Sequence, residues 1–291
     1  MIDLISVYLP GQRPTSDVDF TQTTRRFGTR MADKNLLIRP YKDGTLLQGS
    51  LPKYWAGENA STLSRFQLQA TLSKLEARTG LDLREGKLFA FEVGKTLLVN
   101  RPPREYLDTW YSFGRFKKWT VADCQTVKFV TEGRSFIGYD KRLQMKGQPM
   151  PEVFAGYHAL RMELKYRNRK AVWKIYGRNL SPWDLTERHV LDDLENRWRE
   201  FYRRIPKPRQ VRIDLAGLTQ KEFMTVLAHV GAKSYGYDRM NHLLSDGQKA
   251  GDVDRYVTSR IKAALREIAA DDRLTDTTSL TEEVDDAVRR S

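Results

Sequence analysis

Tyr157–Arg169 reads YHALRMELKYRNR, and its alternation decides the fold. Leu160, Met162, Leu164 and Tyr166 fall on one side of an extended chain, and Arg161, Glu163, Lys165 and Arg167 on the other, because successive strand side chains point to opposite faces. A strand that is apolar below and densely charged above lies over a core and turns its upper face to water or to an anion.

The segments around it read as partners for that strand. MIDLISVYLP at the start, KNLLIRPYKDGTLLQGSLP with a turn at Lys42–Gly44, and KLFAFEVGKTLLVN are strand-like runs. QTVKFV and SFIGYDKRL form a hairpin through Thr131, Glu132, Gly133 and Arg134. Between them, STLSRFQLQATLSKLEARTG reads as a helix with Ser61 or Ser64 as N-cap, Gly80 past its end, and Leu63, Phe66, Leu68, Leu72 and Leu75 on a buried stripe. RPPREYLDTWYSFGRFKKW reads as a second helix, capped by Asn100, with Tyr106, Leu107, Trp110 and Phe113 packed inward, although EYLDTWYSFGRFKKW also interleaves aromatic and basic residues as single-strand-binding surfaces do. TERHVLDDLENRWREFYRRI is a third, burying Val190, Leu191, Leu194, Trp198, Phe201 and Tyr202. PKPRQVR reads as a linker, and further helices follow, including a pair around Gly231 that has the outline of a helix-turn-helix. The expected class is α+β: a central antiparallel sheet with helices on one face, followed by a smaller helical region.

Composition narrows the chemistry. The chain has 291 residues, 40% hydrophobic and 30% charged, the balance of a globular protein with a substantial core. It carries no long apolar run and no recognisable leader, so a cytoplasmic location and no membrane partner are expected. Its net charge is +13, while residues 251–291 are net acidic. A basic body of this kind attracts polyanions, of which nucleic acid is the commonest in a cytoplasm. Cys124 is the only cysteine and the four histidines are scattered, so a metal would be held by carboxylates, which suits a hard ion such as Mg2+ or Mn2+.

Three residues stand out against their surroundings. Glu92 interrupts an apolar strand, where a carboxylate is costly unless it is ion-paired or metal-bound. Glu163 sits among Arg161, Lys165 and Arg167, either on a solvated charged face or, if it neighbours Glu92, in a carboxylate pair able to hold a divalent cation. Tyr139 is two residues from Lys141, and with Ser135 and Ile137 the two share a face of a continuous strand. That tyrosine is either a packing residue or a phenol whose ionisation a cation assists.

The order of MIDLISVYLP, LPKYWAGENASTLSRFQLQATL, LFAFEVGKTL, TVKFVTEGRSFIGYDKRLQ and ALRMELKYRNR resembles the replication-initiation nickases of filamentous bacteriophages and, more distantly, rolling-circle initiators of plasmids. The likeness covers roughly residues 1–205. It implies a nicking and joining endonuclease domain over 1–205; beyond it the residues themselves read as a helical accessory DNA-binding region over 206–272 and an acidic tail over 273–291, frayed or loosely docked. The likeness further implies origin-specific, metal-dependent nicking of supercoiled DNA through a covalent 5′-phosphotyrosine, followed by rejoining. On this sequence the nucleophile would be Tyr139 in GYDK, with Lys141 as the neighbouring lysine and Glu92 and Glu163 as the metal-binding acids. Glutamate at position 92 departs from the aspartate of such phage proteins and reaches one methylene further. Arg161 would clamp a phosphate oxygen, and Arg115, Lys117, Lys118, Arg134, Lys165 and Arg167 would contact DNA. The implied partners are double- and single-stranded origin DNA in a bacterial host, a host helicase and polymerase, and a second copy of the chain. Tyr237, in a GYDR echo of GYDK, sits in a helical context that does not match. Two rival readings stand beside it: a non-catalytic DNA-binding replication regulator that uses the same basic face, and an RNA-processing nuclease on a similar sheet that forms no tyrosine adduct.

Overall fold

The computed structural model describes the chain apart from residues 16–20, 26–27, 34, 122–124, 147–149, 208, 271–274, 278 and most of 212–236. Cys124 and most of the helical pair around Gly231 lie outside the described residues. The strand-like runs become β1 (Ile2–Pro10), β4 (Leu36–Tyr41), β5 (Gly44–Ser50), β6 (Lys87–Val99), β8 (Thr126–Val130), β9 (Arg134–Asp140) and β10 (His158–Tyr166). They are joined by β2 (Thr21–Arg25), β3 (Gly28–Asp33) and β7 (Lys117–Val121) in one ten-stranded antiparallel sheet of order β2-β3-β4-β5-β1-β6-β10-β9-β8-β7. β10 is therefore flanked by β6 and β9, the two strands that carry Glu92 and Tyr139.

One face of the sheet is dry. Leu160, Met162 and Leu164 are buried with Phe91, Val93 and Phe136 in the main core. Helix α6 (Arg188–Arg203) covers this face, burying Leu194 and Trp198, and the Trp198 indole donates a hydrogen bond to the Met162 carbonyl at 3.1 Å. Helix α2 (Arg65–Thr79) starts at Ser64, whose side chain and that of Gln67 form a reciprocal capping box, and ends at Gly80 with φ +69°. Its Leu68, Leu72 and Leu75 join the core. Phe66, expected on that stripe, is 77% exposed; it lies two residues before Leu68, about 200° around the helix.

Three further expectations change. The helix read over residues 101–119 is only α3 (Pro103–Asp108), six residues long, which follows a short helix α1 (Leu51–Ala56) earlier in the chain. Asn100 does not cap it, since the cap position is Pro102 and offers no side-chain hydrogen bond. Aromatic residues with modest helix propensity follow, Gly114 turns the chain with φ +55°, and the β-prone KKWTV run pairs with β8 instead. Tyr106, Leu107 and Trp110 are nonetheless buried as expected. The residues read as a linker contain β11 (Arg209–Val211), which pairs with β12 (Thr275–Thr277). The acidic tail is docked. Its helix, α9 (Ser279–Arg290), follows α7 (Tyr237–Ala250) and α8 (Arg255–Ala270). It buries Val284 and Val288 in the main core, while Tyr106 and Tyr202 donate hydrogen bonds to Glu283 and Asp285 at 2.6 and 2.7 Å. No described helix is long and apolar enough to cross a membrane.

Candidate functional site

On the other face of the sheet, residues paired across strands share a side, and the register gathers the charged positions. Arg161 stands opposite Tyr139 on β9 and Thr96 on β6, and Lys165 opposite Glu92. Glu163 stands opposite Gly94, where an added Cβ would meet the Arg161 guanidinium at 2.7 Å and Glu163 Cγ at 3.0 Å. Glycine there leaves room for the two long side chains.

A third acid arrives through an irregularity in β1. Ile2 pairs with Val93 and Ile5 with Phe91, so Asp3 and Leu4 both stand opposite the single residue Glu92. Such a bulge re-aims a side chain, and Asp3 turns to the charged face, where Ser50 Oγ donates to Asp3 Oδ1 at 2.6 Å and Asn59 Nδ2 to Oδ2 at 3.2 Å. Asp3, Glu92 and Glu163 each place a carboxylate oxygen within 4.8 Å of the others. The two expected acids thus converge, and Asp3 completes the set. The signal that picked out Glu92, an acid inside an apolar strand, was equally present in MIDLISVYLP.

The chain's own cations occupy the spaces between these acids. Arg161 binds Asp3 at 2.7 Å and Glu163 at 3.3 Å, and Lys165 Nζ bridges Glu92 at 2.8 Å and Glu163 at 2.9 Å. Arg161 is fully buried and held by the two carboxylates and Thr96, so it offers no free edge to a phosphate in this arrangement. Burial alone would raise the Glu163 carboxyl, but Lys165 and Arg161 reverse that and hold it at about 2. Glu92 differs: burial pushes it above the ordinary carboxylate value despite the opposing pull of Lys165.

Tyr139 enters this network directly. Its hydroxyl donates to Glu163 Oε1 at 2.7 Å, while the residue stays partly exposed. Burial, and then the Glu163 charge, push its pKa far above the usual phenol value. The expectation that Lys141 shares a strand face with Tyr139 and lowers the phenol pKa is corrected. Asp140 accepts hydrogen bonds from the backbone N–H groups of Arg142 and Leu143, ending β9 and starting the short helix α4 (Lys141–Gln144). The Lys141 ammonium is buried, bonded to Asn59 at 2.8 Å and Gln144 at 2.7 Å, and 5.9 Å from the Tyr139 ring centre. Burial, then the Arg161 charge, draw its pKa down to about 8.

The middle of this face is covered rather than wet. Ala60, Met145, Phe154 and Ala159 form a small second apolar cluster over it, and the Ala60 carbonyl accepts from Thr96.

The residues expected to contact DNA do not form one surface. Lys165 belongs to the acid cluster, and Lys118 alternates to the side of Phe129, away from Lys117. Arg115, Lys117, Arg134 and Arg167 line a groove of about 1120 Å³ at the far end of β9 and β10, together with Lys170 and Lys174 of α5 (Arg169–Tyr176). Among the described residues none of these six cations makes an ion pair. Arg134 lies five residues from Tyr139, about 17 Å along a strand.

No protein-family model matches the chain, and no curated protein matches it.

Proposed function

We propose that this chain is a DNA nicking and joining enzyme of the rolling-circle initiator kind, with Tyr139 as nucleophile and Asp3, Glu92 and Glu163 as the acids around a divalent cation. The observation that carries the reading is the 2.7 Å hydrogen bond from the Tyr139 hydroxyl to Glu163, itself one of three converging carboxylates. A half-buried phenol aimed at a carboxylate cluster on an otherwise basic protein is an arrangement suited to phosphodiester chemistry.

The donor set fits a hard ion, since all three ligands are carboxylate oxygens. Formally, the three acids and the two cations Arg161 and Lys165 leave one negative charge. Asp3, Glu92 and Glu163 would hold such an ion in competition with Lys165, whose side chain is 23% exposed, whereas that of Arg161 is 1% exposed. A bound Mg2+ or Mn2+ would polarise the scissile phosphate and offset charge building up in the transition state.

In the nicking step Tyr139 Oη bonds to phosphorus as the bond to the 3′ oxygen breaks. The phenol gives up one proton, for which Glu163 is the nearest acceptor, and the 3′ oxygen takes one, so the step is balanced without an outside acid or base. Lys141, drawn down to about 8, has the acidity suited to supplying a proton near neutral pH, and through Asn59 it is tied to the loop that also holds Asp3. Arg161 acts as a positioning residue between Asp3 and Glu163.

The regulator reading draws on one observation: the ion pairs already close among themselves, as a purely structural network would. A supercoiled plasmid carrying the sequences that flank the gene separates the two. With Mn2+, the protein should convert it to open circles and Tyr139→Phe should bind it equally well without nicking. Nicking by Tyr139→Phe at the parent rate would remove Tyr139 from the chemistry, and an intact plasmid with the parent protein would favour the regulator.

A further inference from the structure

The charged face does not end at Tyr139. Glu163 pairs with Ile137, Ile137 with Lys128, and Lys128 with Trp119, so these four side chains form one row across β10, β9, β8 and β7. The neighbouring row runs from Arg161 through Tyr139 and Thr126 to Val121, and the next from Lys165 through Ser135 and Val130 to Lys117. Towards the sheet edge the apolar cover disappears. Ile137, Lys128 and Thr126 are half-buried, and Trp119 and Val121 are 60% and 58% exposed.

An exposed tryptophan on an edge strand is a liability unless something uses it. The Trp119 ring makes no hydrogen bond, ring contact or cation contact among the described residues. Two lysines flank it: Lys117 two residues away on the same face, and Lys128 directly across the ladder, neither in an ion pair among the described residues. No acid shares these strand positions outside Glu163, which is already paired. From strand spacing, Trp119 lies about 12 Å from Tyr139, two strands over and two residues along.

We propose that this outer part of the face is a platform for single-stranded nucleic acid, with an unpaired base stacked on the Trp119 indole and flanking phosphates held by Lys117 and Lys128. An open π-face between two cations is what base stacking with backbone neutralisation requires, and it is tolerant of sequence. The platform rests on the proposed nicking function in one respect, that the strand it holds is the one whose phosphate meets Tyr139. It then recruits single strands rather than duplex, because a base still paired in a helix cannot lie flat on the ring.

The test is kept apart from nicking by working in Tyr139→Phe protein with EDTA. Fluorescence anisotropy with a labelled oligothymidylate should show Trp119→Ala weakening binding about tenfold or more, from the usual strength of base–aromatic stacking. Trp119→Phe should keep most of the affinity, and binding to a duplex of the same length should change by less than about twofold in either variant. Oligothymidylate binding by Trp119→Ala that equals the parent's, or an equal loss on duplex, overturns the platform. A protein that never nicks but shows the Trp119 effect refutes the nucleophile and leaves the platform standing.

Discussion

The two halves of one sheet face treat charge in opposite ways. Over β1, β6 and β10, Asp3, Glu163 and Arg161 are almost wholly buried, and each of them, like Glu92 and Lys165, has an ionic partner within hydrogen-bond reach. Over β9, β8 and β7, Lys128 and Lys117 have no ionic partner among the described residues, and an indole stands in solvent. The inner half is a preorganised cluster whose geometry is fixed before any ligand arrives. The outer half is unsatisfied and therefore available. Tyr139 sits on the border, with its hydroxyl bonded inward to Glu163 and its body partly exposed.

If the inner half owes its order to mutual charge compensation, removing its fully buried cation should do the most damage. Arg161→Met leaves Asp3 and Glu163 without that partner and should lower unfolding free energy by about 3–5 kcal/mol in urea titrations. A loss below about 1 kcal/mol would mean the acids are stable without Arg161, and the contrast between the two halves would lapse. Trp119→Ala, by comparison, should shift the urea midpoint far less, because the residue is already 60% exposed.

Acid should dissect the same cluster with a definite sign. Glu163 is held at about 2 against an ordinary value of 4.5. Its folded-state pKa is depressed, so its contribution is present above about 4.5 and is lost as pH falls towards 2. The loss is on the order of 3 kcal/mol. Glu92 is raised, so its protonation on acidification relieves a penalty and offsets part of that loss. Glu163→Gln should flatten the acid limb of a stability-against-pH curve, and an unaltered limb would show that other carboxylates set it.

The smallest expected change concerns the ion. Lys165 bridges two of the three proposed ligands, so Lys165→Met should tighten Mn2+ binding about tenfold by removing a competing cation. Weaker binding, measured by calorimetry, would show that the ammonium supports the carboxylate geometry rather than competing for it.

Much of the inner half was legible in the sequence, because strand alternation and buried charge both leave local marks. YHALRMELKYRNR gave the two faces of β10 directly, and Glu92 and Glu163 were visible as acids in costly places. Asp3 was harder, since its direction depends on a bulge defined by pairing with β6 rather than by β1 itself. The position of Lys141 turned on Asp140 capping a helical turn, a signal present in YDKRL but outweighed by the assumed continuity of the strand. In the outer half, QTVKFV and SFIGYDKRL read directly as the β8–β9 hairpin, whereas β7 reads as the end of a helix because RPPREYLDTWYSFGRFKKW offers prolines in a first turn and an inward apolar line. Only pairing with β8 reveals that its last residues form an edge strand. The docking of α9 was hidden behind its acidic composition, which masks the apolar line of Val284 and Val288.

The most direct measurement is mass spectrometry of the protein trapped with Mn2+ and its nicked plasmid after nuclease digestion. The account predicts a nucleotide linked through phosphate to the peptide bearing Tyr139, absent from Tyr139→Phe. An adduct on any other residue, or nicking with no adduct at all, would contradict it.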